Sequence, residues 1–277
     1  MNVLISFALA LLGLAVGSFL TVVVARLGTG QTLFWGRSRC PHCSRELRWF
    51  ELLPVLSFLL QGGQCRSCSH PISRSYLAIE LVTAVLFVAL GWGIGQGAVP
   101  LPASLAAASV AKEWELFVSF FYYAFFGGFA VAIAFYDFEH HLIPAVLIWP
   151  LLAAGLADKI AAWVRSGSPT LFLATIIAGL AAFAVFWSLW FFSRGRAMGR
   201  GDADLALAIA AYLGPPLAIA GFLLAFWIGA AFGILAVAMQ KLRWKSELAF
   251  APFLLIGALA AIFLAPQISS LYLAYGF

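Results

Sequence analysis

The sequence predicts an all-α polytopic membrane protein with about eight transmembrane helices and a small cytoplasmic domain between the first two. The 277 residues are 64% hydrophobic and only 10% charged, whereas soluble domains average about 25% charged residues. Apolar runs of membrane-spanning length also recur along nearly the whole chain. Together, composition and pattern exclude an ordinary soluble domain.

The predicted helices follow from the apolar runs taken in order. We expect residues 1–25 to stay as a transmembrane helix, because they lack the basic start and the small-residue cleavage site of a signal peptide. The sixth run, residues 203–214, comprises only 13 residues even together with Pro215. It is therefore expected to be a short helix that turns back at Gly214-Pro215-Pro216. The Ala-rich stretch around 98–113 is expected to be a plain connector. The eight runs are residues 3–25, 77–97, 115–136, 143–164, 170–192, 203–214, 216–240 and 247–265.

The distribution of Lys and Arg predicts the side of the membrane on which each loop lies. Four alternate loops together contain 13 of the 16 basic residues, although the loop 137–142 contains none. Because basic loops mark the cytoplasmic side, we expect these loops inside and both termini outside. The net charge of +5 then reflects topology, and no nucleic-acid partner is expected. The four inside loops are 26–76, 137–142, 193–202 and 241–246.

All four cysteines lie in the first inside loop, as two C-x-x-C pairs separated by 21 residues. Paired knuckles at such a spacing are typical of a tetrahedral zinc site of the ribbon type. Two disulfides or a redox pair are the competing interpretations, but cytoplasmic thiols stay reduced. Four thiolates leave no open coordination position, so the zinc is expected to be structural. The predicted ligands are Cys40, Cys43, Cys65 and Cys68.

Two aspartates stand where predicted membrane helices meet the cytoplasmic side. Asp137 ends the third apolar run, and Asp202 opens the sixth. An ionisable side chain at membrane depth indicates function by default. Two carboxyl groups that share one proton can activate a water molecule and polarise a carbonyl group. The sequence therefore predicts an aspartyl-protease dyad of Asp137 and Asp202.

Structural interpretations compete with catalysis around the two aspartates. Asp202 could instead cap the following helix, since Asp is a good N-cap residue. Glu139, His140 and His141 are expected to be solvated residues of a tight turn. Gly199 and Gly201 are predicted to let an extended substrate backbone pass close to the loop before Asp202.

An ordered set of motifs resembles the type IV prepilin leader peptidases, which are bacterial membrane aspartyl proteases of the GxGD type. The resemblance extends over almost the whole chain. Besides the two cysteine pairs, the motifs are Gly13-Leu-Ala-Val-Gly-Ser-Phe-Leu20 with Arg26-Leu27, Pro54-Val-Leu-Ser57, Ile72-Ser-Arg74 with Ile79-Glu-Leu81, Asp137 with Pro144, and Gly199-x-Gly201-Asp202 with Tyr212-Leu-Gly214.

The resemblance implies that Asp137 and Asp202 are the catalytic aspartates of a transmembrane peptidase domain, residues 77–277, which follows a first transmembrane helix (1–25) and a zinc-binding domain (26–76). It implies an enzyme of the bacterial inner membrane that removes the short basic leader of prepilins or pseudopilins after a glycine, on the cytoplasmic side. Many such enzymes also N-methylate the new terminal residue with S-adenosylmethionine. The implied partners are these substrates and the lipid bilayer.

The chain departs from the family's usual pattern in four places. Thr21 stands where Asn is usual, Ala145 replaces an acidic or amide residue, and Asp204 replaces a basic one; the remaining departure is Glu51-Leu52, in place of an Asp-Asn pair. The aspartates are retained, so the departures bear on methylation and substrate preference more than on cleavage. The alternatives are a presenilin-like or signal-peptide-peptidase-like protease, and a non-enzymatic membrane scaffold or transporter organised by zinc.

Overall fold

A computed structural model describes residues 2–30, 32, 36–106, 111–196, 198–240 and 249–275 of the chain. Within these ranges the structure is helical, and its β-structure is limited to two isolated bridges. A short 3-10 helix, Trp49–Leu52, precedes the second α-helix. In chain order the α-helices are α1 (Val3–Arg26), α2 (Leu56–Leu60), α3 (Arg74–Gly95), α4 (Ala103–Ala106), α5 (Lys112–His140), α6 (Ala145–Ser166), α7 (Thr170–Ser193), α8 (Arg200–Leu213), α9 (Pro215–Ala238), α10 (Ala251–Phe263) and α11 (Ala265–Tyr275).

Six of the described helices are long and apolar enough to cross a membrane, namely α1, α3, α5, α6, α7 and α9. Helices α10 and α11 form a seventh candidate span that is bent by 76°. Pro266 is the second residue of α11, and its missing N–H and its ring prevent α10 from continuing straight. The predicted all-α polytopic class is confirmed, whereas the predicted inside loop 241–246 lies outside the described residues.

The sixth predicted run forms α8, which has 14 residues and is therefore about 21 Å long. A bilayer's hydrocarbon core is about 30 Å thick, so α8 alone is too short to cross it. The helix begins at Arg200, three residues earlier than predicted. It ends at Gly214, whose φ of 82° is readily adopted only by glycine, and Pro215 then begins α9. The helix therefore breaks where the Gly-Pro-Pro sequence predicts.

The chain divides into two compact units, Met1–Trp92 with Ala124–Phe135 and Gly93–Tyr123 with Tyr136–Phe277. The first unit contains the cysteine segment, residues 40–68, and the crossing of α1 with α3. A Cβ atom at Gly13 would lie 2.6 Å from the Cα atom of Ala84, and one at Gly17 would lie 2.7 Å from that of Glu80. Small residues of this kind let membrane helices approach to backbone contact.

The second unit is built around α8. Several of its side chains are completely buried, among them those of Leu205 and Ile209. Helices α6, α7, α9 and α10 all contact it. The contact with α6 is closest at Gly155, where a Cβ atom would lie 2.6 Å from both the N and the Cα atom of Tyr212. Although α8 is too short to span the bilayer, it is thus the central helix of this unit.

A buried polar network holds the last turn of α8. The Lys159 ammonium forms an ion pair with Asp158 (2.8 Å) and donates to the Tyr212 carbonyl oxygen (3.1 Å). The Tyr122 hydroxyl donates to the same carbonyl oxygen (2.9 Å), and the Asp158 carboxylate accepts the backbone N–H groups of Ala103 and Ser104 at 3.0 and 2.9 Å. The Ala-rich stretch around 98–113, which was expected to be a plain connector, is therefore hydrogen-bonded to α6 through α4.

We predict that Gly155→Ala lowers the stability of the second unit, because the added methyl group must push α6 away from the α8 backbone. Overpacking of this kind costs about 1–3 kcal/mol, which would appear as a lower apparent melting temperature of the detergent-solubilised protein. Gly233→Ala is the matched control, since a Cβ atom there meets no atom within 4 Å. A melting temperature equal to that of the unmodified protein would contradict the close contact.

We also predict that Lys159→Met destabilises the protein, because it leaves the Asp158 carboxylate buried without its cation. Removing one member of a buried ion pair costs about 3–5 kcal/mol. The measurement is again the apparent melting temperature in detergent. Lys112→Met is the control, since Lys112 is exposed in the same unit. If both variants melt alike, the buried pair contributes nothing particular to stability.

Candidate active site and metal centre

Asp202 lies in the first turn of α8, where it is 4% exposed. Gly199 is the N-cap residue, and the Asp202 Oδ2 atom accepts its backbone N–H at 3.0 Å. The carboxylate thus caps the helix by reaching back from the third helical position, rather than by standing before the helix as an N-cap residue would. The other carboxylate oxygen of Asp202 takes no part in this capping bond.

Asp137 lies in the last turn of α5 and is 6% exposed. The helix ends at His141, which adopts the left-handed conformation (φ 52°) and donates its backbone N–H to the Asp137 carbonyl oxygen at 2.8 Å. The Asp137 Oδ2 atom is buried and has no hydrogen-bond partner among the described residues. A buried carboxylate oxygen without a partner is rare and calls for an explanation.

The structure brings the two predicted aspartates together in the second unit. The Asp137 and Asp202 carboxyl groups are close enough to interact electrostatically. Their helix ends are joined by packing, because Gly201 lies against Ile143 of the connection between α5 and α6. A Cβ atom at Gly201 would lie 3.0 Å from the Cβ atom of Ile143. Two neighbouring buried carboxyl groups cannot both ionise cheaply, so ionisation of one disfavours ionisation of the other.

The polar residues after Asp137 are solvated, but Glu139 and His140 belong to the last turn of α5 and only His141 follows the helix. Glu139, His140 and His141 are all exposed. The His140 ring stacks on the buried Tyr136 ring with centroids 4.2 Å apart. Gly199 is exposed, so the N–H that binds Asp202 belongs to a surface residue without a side chain. The Gly199 backbone can therefore be approached closely from outside.

The four cysteines form a second site, in the first unit. The Sγ atoms of Cys40, Cys43, Cys65 and Cys68 all lie within 4.8 Å of one another, and all four thiols are free. This cluster fits a tetrahedral metal ion. Two disulfides, the competing interpretation of the sequence, are not formed. The spacing of the pairs was thus a sufficient signal for the cluster.

The two cysteine pairs have matching local structures. Cys40 and Cys65 each donate a backbone N–H to the residue five positions on, and each accepts one from the residue four positions on, all at 2.9 Å. Ser44 and Ser69, which donate the N–H groups that Cys40 and Cys65 accept, have positive φ angles of 55° and 54°. The backbone N–H groups of Cys68 and Ser67 bind the Cys65 sulfur and lower the pKa of this thiol to about 6. A lowered pKa favours the thiolate, which is the form that binds metal.

Neighbouring side chains brace the cysteine cluster without joining it. The rings of His42, within the first pair, and of His70, just after the second, stack with centroids 4.4 Å apart and do not belong to the cluster. Arg45 forms an ion pair of 2.6 Å with Glu51, whose side chain is only 1% exposed. The sequence does not predict this ion pair, because Arg45 and Glu51 meet only after the turn between them has folded.

Two family models match the chain. The Bacterial Peptidase A24 N-terminal domain matches residues 11–94, which contain the four cysteines, and the Type IV leader peptidase family matches residues 124–234, which contain both aspartates. No solved structure matches the chain significantly.

Several curated proteins resemble the chain over most of its length. It is 32% identical to the prepilin leader peptidase/N-methyltransferase of Bacillus subtilis, with 96% of each chain covered. It is 30% identical to the protein of the same name from Aeromonas hydrophila, covering 95% of this chain and 92% of the relative. For the one from Pseudomonas aeruginosa the identity is 29%, over 96% and 92%. The chain therefore belongs to the type IV leader peptidase family.

Proposed function

We propose that this chain is a membrane aspartyl endopeptidase that removes the short basic leader of type IV prepilins or pseudopilins after a glycine and then N-methylates the new terminal residue. The observation that carries the proposal is the buried pair of Asp137 and Asp202 within the range of the leader peptidase model. The names of the relatives support both activities. Neither the presenilin-like protease nor the non-enzymatic scaffold or transporter has such support.

The proposed cleavage needs one carboxylate and one carboxylic acid. The carboxylate takes a proton from a water molecule, whose oxygen attacks the scissile carbonyl carbon, while the acid donates its proton to the carbonyl oxygen. Collapse of the tetrahedral intermediate then breaks the C–N bond, and the released amine takes up a proton. The unpartnered Oδ2 atom of Asp137 suits this chemistry, because it is not committed to a structural hydrogen bond.

The two glycines have different proposed roles. Gly199 is exposed and lies beside the Asp202 carboxylate, so an extended substrate backbone can pass close to it. Gly201 is packed against Ile143, which supports a role in joining the helix ends that carry the aspartates. A side chain at Gly201 would separate those ends, whereas one at Gly199 would obstruct the approach.

We propose that the active site faces the cytoplasm of a bacterium and that the protein is embedded in the inner membrane. Basic residues in the loops that precede α3 and α8 support this orientation, since positive loops stay inside. Lys241, Arg243 and Lys245 of the fourth inside loop lie outside the described residues. The lipid bilayer and the prepilin are thus the proposed partners.

The proposed metal is a structural Zn²⁺ held by the four cysteine thiolates, which would hold the two halves of the cysteine segment together. The proposed methyl donor is S-adenosylmethionine, on the strength of the relatives' N-methyltransferase names. In that step, the amine of the mature pilin would take the methyl group from the sulfonium and release a proton.

We predict that Asp137→Asn and Asp202→Asn each abolish cleavage of a purified prepilin with a Gly-Phe junction, because an amide can neither accept nor release the shared proton. Loss of general acid–base catalysis alone lowers a rate by about 10²–10⁴-fold. Product formation would be followed by mass spectrometry of the pilin, whose new terminus also reveals any added methyl group.

The matched controls for this experiment are Asp204→Asn and Asp204→Lys, two residues beyond Asp202. Residues two apart on a helix do not face each other, so both controls should retain cleavage. Robust cleavage by Asp137→Asn or Asp202→Asn would refute the assignment of these aspartates as the catalytic pair. The variants must show the same gel-filtration profile and melting temperature as the unmodified protein.

We predict that the purified full-length protein contains a single zinc ion and that Cys65→Ser releases it, because a hydroxyl group is a poor zinc ligand. Zinc would be measured by inductively coupled plasma mass spectrometry after gel filtration. His42→Ala should retain the metal, since its ring lies beside the cluster without joining it. Full zinc content in Cys65→Ser, or loss of zinc from His42→Ala, would refute this ligand set.

A further inference from the structure

The segment between the two cysteine pairs exposes an unusual amount of apolar surface. We call residues 49–60 the apolar segment; it contains the 3-10 helix and α2. Trp49 is 76% exposed and Leu60 is 73% exposed, although this segment spans no membrane itself. Isolated exposed apolar residues are normal, but a contiguous patch marks an interaction site. Its large exposed side chains are Trp49, Leu52, Leu53, Leu56, Leu59 and Leu60.

A hydrogen bond between the apolar segment and α3 gives the depth of the segment. The backbone N–H of Val55 donates to the Glu80 Oε2 atom at 2.8 Å. Glu80 is buried, and it lies six residues after Arg74, the first residue of α3. Six residues correspond to about 9 Å along a helix. Helix α3 is long and apolar enough to span the membrane. The middle of the apolar segment is therefore level with a point on α3 that lies about 9 Å from its first residue, on the membrane side.

The backbone at this contact has a conformation that needs support. Val55 has φ 62° and ψ −50°, and the N–H of Leu56 donates to the Pro54 carbonyl oxygen at 2.6 Å. This is the rarer, strained form of the γ-turn, and a positive φ is unfavourable for a β-branched residue. A non-helical backbone at membrane depth persists only where its polar groups have partners. Glu80 is such a partner.

Exposed arginines flank the apolar segment. Arg48, Arg66 and Arg74 are exposed, and they form no salt bridge with any carboxylate among the described residues. In contrast, Arg37 and Arg39 both pair with Glu46. Arg66 also lies over the Phe50 ring, 5.2 Å from its centroid, which keeps its charge beside the apolar segment. Basic residues next to a membrane-spanning helix attract anionic lipids.

We infer that the apolar segment inserts into the interface of the lipid leaflet next to the start of α3, where Arg48, Arg66 and Arg74 bind the phosphate groups of anionic lipids. Apolar side chains combined with flanking cations are what an interfacial segment requires. Trp49 suits the headgroup level, where tryptophan is enriched. The depth given by the Val55–Glu80 bond favours lipid over a protein partner, because a patch for soluble proteins would project into water.

The experiment measures the environment of position 60 in the full-length protein, reconstituted into vesicles of phosphatidylcholine with phosphatidylglycerol. A polarity-sensitive fluorescent amino acid replaces Leu60 and, as the matched control, Arg37, whose side chain is 78% exposed in the same unit. We expect lipids with brominated acyl chains to quench the probe at position 60 and iodide in the water to quench the probe at position 37. Iodide quenching of both positions alike, without quenching by brominated lipids, would overturn the inference.

A second comparison tests the role of the arginines. In the triple variant Arg48→Gln, Arg66→Gln and Arg74→Gln, each lost cation should weaken insertion into an anionic surface by about fivefold. Iodide access at position 60 should then rise toward the level seen in vesicles of phosphatidylcholine alone. Circular dichroism and gel filtration check that the variant remains folded. Iodide access that depends on neither lipid charge nor the arginines would remove anionic lipids from the proposal and overturn it as stated.

A third arm tests for a protein occupant. Purified prepilin is added to the vesicles that contain the probe at position 60. If the probe is open to iodide in lipid alone and becomes protected only with prepilin, the apolar segment is a protein-docking surface and the inference is wrong. Protection that is already complete before prepilin is added supports the lipid interface. Because no cleavage is measured, this outcome is independent of the proposed peptidase activity.

Discussion

The Tyr212 carbonyl oxygen accepts hydrogen bonds from both Lys159 and Tyr122 at the end of α8 opposite to Asp202. This double hydrogen bond fixes the position of α8 along its own axis, which apolar packing alone does not do, because apolar side chains tolerate small sliding movements. The close contact at Gly155 fixes the distance to α6 at the same level. The position of the Asp202 carboxylate therefore follows from interactions made three turns away.

A hydrogen bond at its first turn explains how α8, a helix of 14 residues, can carry a buried carboxylate. Burial of Asp202 costs free energy unless its oxygens find donors, and the N–H of Gly199 supplies one of them. Asp137 shows the opposite arrangement, since its Oδ2 atom remains without a partner among the described residues. Asp202 is thus held by a backbone hydrogen bond, whereas Asp137 keeps a carboxylate oxygen that no described group binds. This difference distinguishes two residues that look equivalent in the sequence.

Much of the fold and of the candidate site could be predicted from the sequence. Long apolar runs predict membrane spans, and closely spaced cysteines predict a metal site. The cysteine cluster follows from two pairs, each formed within one turn. The dyad was predicted because both aspartates interrupt apolar sequence. The partnership of Glu80 with Val55 has no such signal, since the acceptor and the backbone N–H are 25 positions apart and every residue type except proline could supply the N–H.

The ion pair of Asp158 and Lys159 was missed for a different reason. Neighbouring residues on a helix do not face each other, so adjacent opposite charges in a membrane helix do not predict a pair. They meet here because the long lysine side chain bends toward the Tyr212 carbonyl, while the Asp158 carboxylate binds the start of α4. Tertiary structure thus decides a contact for which helix geometry gives no expectation.

The matching local structures of the two cysteine pairs have a consequence for folding. Each pair forms from hydrogen bonds within six residues, so each can bring two thiolates together before the rest of the segment is ordered. Metal capture then requires only that a single loop of 21 residues be closed, an entropic cost of about 3 kcal/mol plus a constant. The bond between Val55 and Glu80 divides this loop near its middle. Once α3 is in place, each cysteine pair is joined to the fixed Val55 position by only about half of the loop. Closing these shorter loops costs less entropy, which favours assembly of the cysteine segment after the helices.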